Sequence, residues 1–320
     1  MVICSVTGPR PAQEVHDGEG RPLPSGSRPG RPTAQPALAG PGVPHRLPIA
    51  LFAGPILRHG RPMLTRIITG VVLAPLVVLL LFFGPPWAIA GVFTVASALC
   101  VYELLAMALP ERRFERVAGV ALALGLQVAM VLAPVTIVGV LVALLLVPAL
   151  VVLARTEPIE SALTRLLVLW GAFVYIVLPF SFGIELATRL GPWPIVLTLS
   201  VVWAGDTGAY FVGKAIGRHK LYPRVSPKKT IEGALGGLVA SVLVAVAIVS
   251  IWWPVLDVGH AALVGLAGGA AAQLGDLLES LIKRSCGVKD SGAILPGHGG
   301  MLDRLDGVIV AFPVMYAMIF

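Results

Sequence analysis

Two polar segments in an otherwise apolar chain hold most of the residues that could do chemistry. The first reads Asp206-Thr207-Gly208-Ala209-Tyr210, runs through Gly213-Lys214 and Gly217-Arg218-His219-Lys220, and ends Ser226-Pro227-Lys228-Lys229-Thr230-Ile231-Glu232. The second opens Gly275-Asp276-Leu277-Leu278-Glu279-Ser280-Leu281-Ile282-Lys283-Arg284 and passes through Lys289-Asp290-Ser291-Gly292. It closes Pro296-Gly297-His298-Gly299-Gly300-Met301-Leu302-Asp303-Arg304-Leu305-Asp306. Asp206, Glu232, Asp276, Glu279, Asp303 and Asp306 lie in or at the ends of apolar runs. An acid in such a place is costly and by default marks function. The plainer reading is charge pairing. Glu279 stands four before Lys283, and Glu185 four before Arg189, both in the favourable helical orientation. Asp276 has no Lys or Arg three or four residues away and shares a helix face with Ser280.

Oxygen donors without clustered His or Cys suit a hard cation. Mg²⁺ takes one or two carboxylates and fills its other positions with water and phosphate oxygens. Six basic residues in the first segment and Lys283, Arg284, Lys289 and Arg304 in the second suit a polyphosphate. Glycines around His298 let backbone N–H groups come close to its oxygens. His298 itself reads as a phosphate donor or as a turn residue. A nucleotide-binding P-loop is absent, because Gly213-Lys214 lacks the upstream glycine spacing and the following Ser or Thr.

The elements that must position these groups are membrane helices. Of 320 residues, 57% are hydrophobic and 13% charged, with a mean hydropathy of +0.88. A soluble domain carries about 25% charge, so composition excludes a cytosolic globular enzyme and a disordered regulator. Cys4, Cys100 and Cys286 are too scattered for a disulfide scaffold. Nine apolar stretches are expected to span: Leu64–Phe83, Trp87–Ala108, Val117–Ala133, Val135–Ala154, Leu163–Leu186, Pro194–Val212, Ile231–Trp253, His260–Glu279 and Gly307–Phe320. The third and last fall short of the ~20 residues that cross a hydrocarbon core. With the N-terminus inside, 23 of the 24 basic residues lie on the inner side and only Arg189 outside. The expected topology is N-in, C-out. The net charge of +7 then faces lipid headgroups and anionic substrates. Nucleic acid is not expected as a partner, because no basic stretch interleaved with aromatics appears.

Residues 1–62 differ in kind, with 12 prolines, nine glycines and seven arginines against three acids. Proline and glycine at this density oppose helix formation, and a disordered tail is expected. Translation from Met63 is an alternative expectation. The chain thus divides into a tail, 1–62, and a transmembrane catalytic domain, 63–320.

The run from Ser280 to Asp306 resembles the pattern of phosphatidate cytidylyltransferases, the CDP-diacylglycerol synthases. It shows Ser-x-x-Lys-Arg, then Lys-Asp-x-Gly, then Pro-Gly-His-Gly-Gly-x-x-Asp-Arg-x-Asp. Gly275-Asp276-Leu277-x-Glu279, Asp206-Thr207-Gly208-Ala209-Tyr210 and Ser226-Pro227-Lys228-Lys229-Thr230 are similar to that family as well. The likeness covers Met63–Phe320, departing at Ile231, where an aromatic is expected, and at Gly307, where serine is. It implies an all-α polytopic membrane enzyme of about nine helices. That enzyme joins CTP to phosphatidic acid, giving CDP-diacylglycerol and pyrophosphate at the cytoplasmic face of a bacterial membrane. By the same resemblance Asp276 and Asp303 hold one or two Mg²⁺ ions, with Asp306 close by. Lys283, Arg284, Lys289, His298 and Arg304 are assigned to the phosphates. Asp206, Lys228, Lys229, Ser280, Asp290, Gly299 and Gly300 complete the binding site. Oligomeric state is left open, a homodimer included. The alternatives are another CTP-dependent lipid enzyme, such as a polyprenol kinase or a different CDP-lipid synthase, and a transporter with a carboxylate proton relay. The transporter would place its acids near the bilayer midplane in half-helix repeats, which this pattern does not show.

Overall fold

Long apolar runs punctuated by proline, glycine and charge give a bundle of helices with one small hairpin. The computed structural model describes residues 75–132, 137–294 and 299–320. Its helices are α1 (residues 75–83), α2 (Pro86–Ala108), α3 (Arg113–Leu132), α4 (Ile137–Ala154), α5 (Ala162–Ala172) and α6 (Leu178–Arg189). They continue with α7 (Trp193–Ile216), α8 (Ile231–Ile251), α9 (Val258–Ser285) and α10 (Leu302–Ile319). Proline sits at the start of α2 and α7, where its fixed φ suits a helix and its missing N–H costs nothing. Thr230 caps α8 by accepting from the Gly233 N–H at 3.1 Å. Asp257 caps α9 by accepting from the His260 N–H at 3.0 Å, and that bond holds its carboxyl below the usual carboxylate range.

Among the described residues six helical segments are long and apolar enough to cross a membrane: α2, α3, the continuous unit Ile159–Arg189 containing α5 and α6, α7, α8 and α9. The protein is an all-α membrane protein. The expected count of nine is therefore not reached within these residues. The first expected stretch begins outside them, and α4 borders the undescribed residues 133–136. Helix α10 carries Asp303, Arg304 and Asp306 in its first turns, ahead of the expected stretch Gly307–Phe320, and is not among the six. The expected tail, 1–62, lies wholly outside the described residues.

Three local features depart from the sequence reading. Helix α7 runs to Ile216, past the expected end at Val212. The following segment is not simply a loop, because β1 (Lys220–Tyr222) pairs antiparallel with β2 (Ser226–Thr230). The α5–α6 unit is interrupted by a π-helical turn, Phe173–Val177. Such a turn displaces one residue from the α-helical ladder. Buried Gln127 of α3 donates from Nε2 to the Val177 carbonyl at 3.3 Å, so part of that disturbance is satisfied from a neighbouring helix.

The main packing runs α7–α8–α9–α10 in sequence. Small residues make it possible, since apolar lipid gives helices little reason to associate except close contact. A Cβ on Gly208 would fall 2.6 Å from the Ala240 Cβ, and one on Gly237 would fall 2.7 Å from the Gly205 carbonyl oxygen. Helices α2 and α6 pack on α10, where Phe93, Phe180 and Phe312 form a ring cluster with centroids 5.7 to 6.3 Å apart. The first turns of α3 and α5 are tied to each other and to the α4–α5 connection. Buried Arg165 meets Glu115 at 2.8 Å and also donates to the Arg155 and Thr156 carbonyls. Arg155 lies 4.6 Å over the Phe114 ring.

Candidate active site

The close α7–α8 contact fixes where the first polar segment can go. Asp206 lies within α7, three turns before its end, and the hairpin folds back to bring Lys228 and Lys229 beside it. The hairpin is anchored by Glu232 of α8, which accepts from the Arg218 and His219 N–H groups at 3.1 and 3.2 Å. Its Oε1 also meets His219 Nδ1 at 2.6 Å. Between hairpin and helices lies a cavity of about 390 Å³, walled by Asp206, Tyr210, Lys214, Lys228, Lys229 and Asp276, among others. Its size is in the range of small-molecule sites.

Asp276 enters from α9 and makes an ion pair with Lys229. The Ser280 hydroxyl, one turn on, donates to Asp276 at 3.4 Å. Asp206 and Asp306 each interact electrostatically with Asp276, so acids from α7, α9 and α10 face a common region. The cation that Asp276 lacks within its own helix is supplied by a lysine 47 positions earlier in the chain.

One turn further along α9, Lys283 pairs with Glu279 and reaches Asp303 of α10 at 2.7 Å. The Glu279–Lys283 pair is the spacing pair anticipated above, and Glu185–Arg189, at 2.6 Å, is the other. Asp303 also accepts from the Ser291 N–H at 3.0 Å and the Gly300 N–H at 3.2 Å. Its carboxylate thereby holds together the two ends of the α9–α10 loop. Gly299 has φ +87°, in the left-handed region that favours glycine.

Not all the expected residues join this arrangement. Arg284 turns back to the Val288 carbonyl at 3.0 Å and stays exposed. Lys289 and Asp290 are exposed in the α9–α10 loop. His298 lies outside the described residues. Among the described residues no group of three or more His, Cys, Asp or Glu side chains closes into a metal site.

A further carboxylate belongs to this neighbourhood. Glu103 of α2 is 1% exposed and accepts from the Leu302 N–H at 2.8 Å and the Ser291 hydroxyl at 3.2 Å. The sequence does carry its signal, since Glu103 is the only acid in the run Trp87–Ala108. An acid inside an apolar stretch calls for explanation wherever it falls.

Fold and site together define a helical membrane protein whose polar centre is built from carboxylates and lysines at one end of the bundle. A family model described as the cytidylyltransferase family matches residues 64–320, and the chain belongs to that family. Curated relatives include the phosphatidate cytidylyltransferase of Bacillus subtilis (strain 168), 41% identical over 150 residues, which are 46% of this chain and 56% of the relative. The protein of the same name from Staphylococcus haemolyticus (strain JCSC1435) is 47% identical over 121 residues, 38% of this chain and 46% of the relative. Its counterpart in Synechocystis sp. (strain ATCC 27184 / PCC 6803 / Kazusa) is 47% identical over 124 residues, 38% and 41% of the two chains. The matches thus span about half the length of these relatives.

Proposed function

We propose that this protein transfers CMP from CTP to phosphatidic acid, giving CDP-diacylglycerol and pyrophosphate for phospholipid synthesis. The observation that carries the reading is the cavity in which Asp206 and Asp276 face Lys214, Lys228 and Lys229. It lies beside the Lys283–Asp303 pair and at the end of a lipid-facing bundle. The family membership and the names of the relatives support the substrates.

The chemistry asks little of a general base. A phosphate monoester has a second pKa near ~6, so phosphatidate is largely dianionic at neutral pH. One of its phosphate oxygens forms the new bond to the α-phosphorus of CTP while the bond from that phosphorus to the β-phosphate oxygen breaks. Pyrophosphate leaves with the electron pair. The barrier is repulsion among anions and the charge that grows on the leaving group, so fixed cations lower it. Lys228, Lys229, Lys283, Arg284, Lys289, His298 and Arg304 are the groups proposed to meet phosphates. Ser280, Asp290, Gly299 and Gly300 shape the pocket.

Asp276, Asp303 and Asp306 are proposed to hold one or two Mg²⁺ ions. The donor set fits, being all oxygen, with two of the three acids now neutralised by lysine ammonium groups. Mg²⁺ needs only one or two protein carboxylates when phosphate oxygens and water complete its shell. When bound it would offset charge on the phosphates and on the departing pyrophosphate. The finer architecture is proposed with it: nine spans, N-in and C-out, a disordered tail over 1–62 ahead of a catalytic domain over 63–320, and the site on the cytoplasmic face of a bacterial membrane.

The test is purified full-length protein with phosphatidate vesicles, Mg²⁺ and CTP labelled at the α-phosphate. Label entering the lipid with release of pyrophosphate is the expected result. Transfer of the γ-phosphoryl group with release of labelled CDP would replace this reading with a lipid kinase.

A further inference from the structure

Glu103 reaches the site from the opposite side of the molecule's chain order. It stands on α2, 188 residues before Ser291 and 199 before Leu302, yet it bonds to both. Its Oε2 accepts from the first backbone N–H of α10 and from the Ser291 hydroxyl. Ser291 Oγ in turn accepts from the Asp303 N–H at 3.3 Å, while the Ser291 N–H donates back to the Asp303 carboxylate. A chain of hydrogen bonds therefore runs from Glu103 through Ser291 to Asp303 and on to Lys283.

The glycines of the loop carry an independent mark of the same arrangement. A Cβ on Gly300 would fall 2.8 Å from Glu103 Oε2 and 3.0 Å from Oε1. One on Gly292 would fall 2.9 Å from Glu103 Cδ. Both positions come against the same carboxyl group, and at Gly300 the Ser291 hydroxyl stands closer still. The Lys-Asp-Ser-Gly and Gly-Gly elements are thus shaped around a side chain from α2. Among the described residues Glu103 Oε1 has no hydrogen-bond donor.

We propose that Glu103 is the positioning residue of the α9–α10 loop. It fixes Ser291, the close approach of Gly292 and Gly300, and the start of α10, so that the Asp303 and Lys283 side chains are set for a nucleotide triphosphate. It touches no substrate and acts through Ser291 and Asp303. This inference rests on the cytidylyltransfer reading for its kinetic consequence, but not for its structural one.

The experiment compares E103Q, E103A, S291A and the double variant E103Q/S291A in full-length protein, by steady-state kinetics and by hydrogen exchange of the segment 286–303. Removing a hydrogen bond to a carboxylate in the chain should lower kcat/KM for CTP about 10- to 100-fold. The loss should appear chiefly in KM for CTP, with KM for phosphatidate unchanged, and should be smaller in E103Q, which keeps one acceptor. The double variant should be no worse than the poorer single one, because both break the same chain. Exchange in 286–303 should rise in every variant, with the other helices unchanged. A wild-type protein that does not transfer CMP would remove the kinetic arm together with the proposed function, leaving the exchange arm to decide. Active variants with both KM values unaltered, or exchange in 286–303 equal to wild type, would overturn the inference.

Discussion

Asp303 and Asp276 do different work although both are aspartates beside a lysine. Asp276 opens on the cavity and is neutralised from the hairpin by Lys229. Asp303 accepts from Lys283 and from two backbone N–H groups, so it organises the loop as well as carrying charge. Asp276→Asn should therefore reduce CMP transfer to below about a hundredth of wild type, the scale of a lost electrostatic contribution, without altering thermal stability in detergent. Asp303→Asn should cost as much activity and also lower the melting temperature, because an amide cannot accept every donor the carboxylate does. Equal melting temperatures for the two variants would show that Asp303 has no part in holding the loop. Lys283→Met is the harsher change. It strands Glu279, which is fully buried, together with Asp303, and loss of one partner from a buried pair costs about 3–5 kcal/mol. Chemical or thermal unfolding in detergent measures it. The pairing of Glu279 with Lys283 was legible in the sequence because it is local, at a spacing of one helical turn. The pairing of Asp276 with Lys229, and both bonds of Glu103, depend on which helices meet, and residue spacing carries no such information.

Helix packing sets how close the two polar segments can come. Gly237 illustrates the constraint, since a methyl there would meet the Gly205 carbonyl oxygen at 2.7 Å and Gln273 Nε2 at 2.9 Å. Gly237→Ala should push α8 from α7, widen the cavity wall and lower both melting temperature and activity. Gly125→Ala is the matched control, because a Cβ there meets nothing within 4 Å. It should leave activity intact and leave stability equal or raised, as alanine favours helix over glycine by about 1 kcal/mol. Thermal melts of the two variants side by side give the answer, and equal effects would mean that close approach at Gly237 is not what the fold requires. At this scale apolar length and the terminating prolines and charges made most helices readable from the sequence. The π-turn at Phe173–Val177 was not, because its residues are as apolar as their neighbours and differ only in hydrogen-bond register. The hairpin is illegible for another reason: the strands Lys220–Tyr222 and Ser226–Thr230 are short and lysine-bearing, with none of the alternation that marks a half-buried strand.

Charge placement joins these local features into one molecule. The expected inner side carries 23 of 24 basic residues, and among the described residues contacts join several of the connections that hold them. The first turn of α3 meets the first turn of α5 through Glu115 and Arg165. The hairpin meets α9 through Lys229 and Asp276, and the α9–α10 loop meets the latter part of α2 through Glu103. At the other end of α9, His260 Nε2 lies 2.6 Å from the Met318 carbonyl near the end of α10, far from these lysines in sequence. These contacts join several of the basic connections to one another, while Arg189 closes α6, just before the α6–α7 turn. Lys and Arg near an anionic leaflet gain about 1 kcal/mol each, which favours these connections on the cytoplasmic side. The orientation is testable in sealed cells with a membrane-impermeant maleimide, in protein whose Cys4, Cys100 and Cys286 are replaced by serine. Leu190→Cys, an exposed position in the α6–α7 turn, should label from outside. Arg224→Cys, between the two hairpin strands, should label only after the membrane is opened. The reverse pattern would place the lysine-rich cavity outside, away from cytoplasmic CTP, and would sink the proposed reaction along with the topology. Labelling of both from one side would instead break the span count between α7 and its preceding turn, since that single crossing is what separates the two positions.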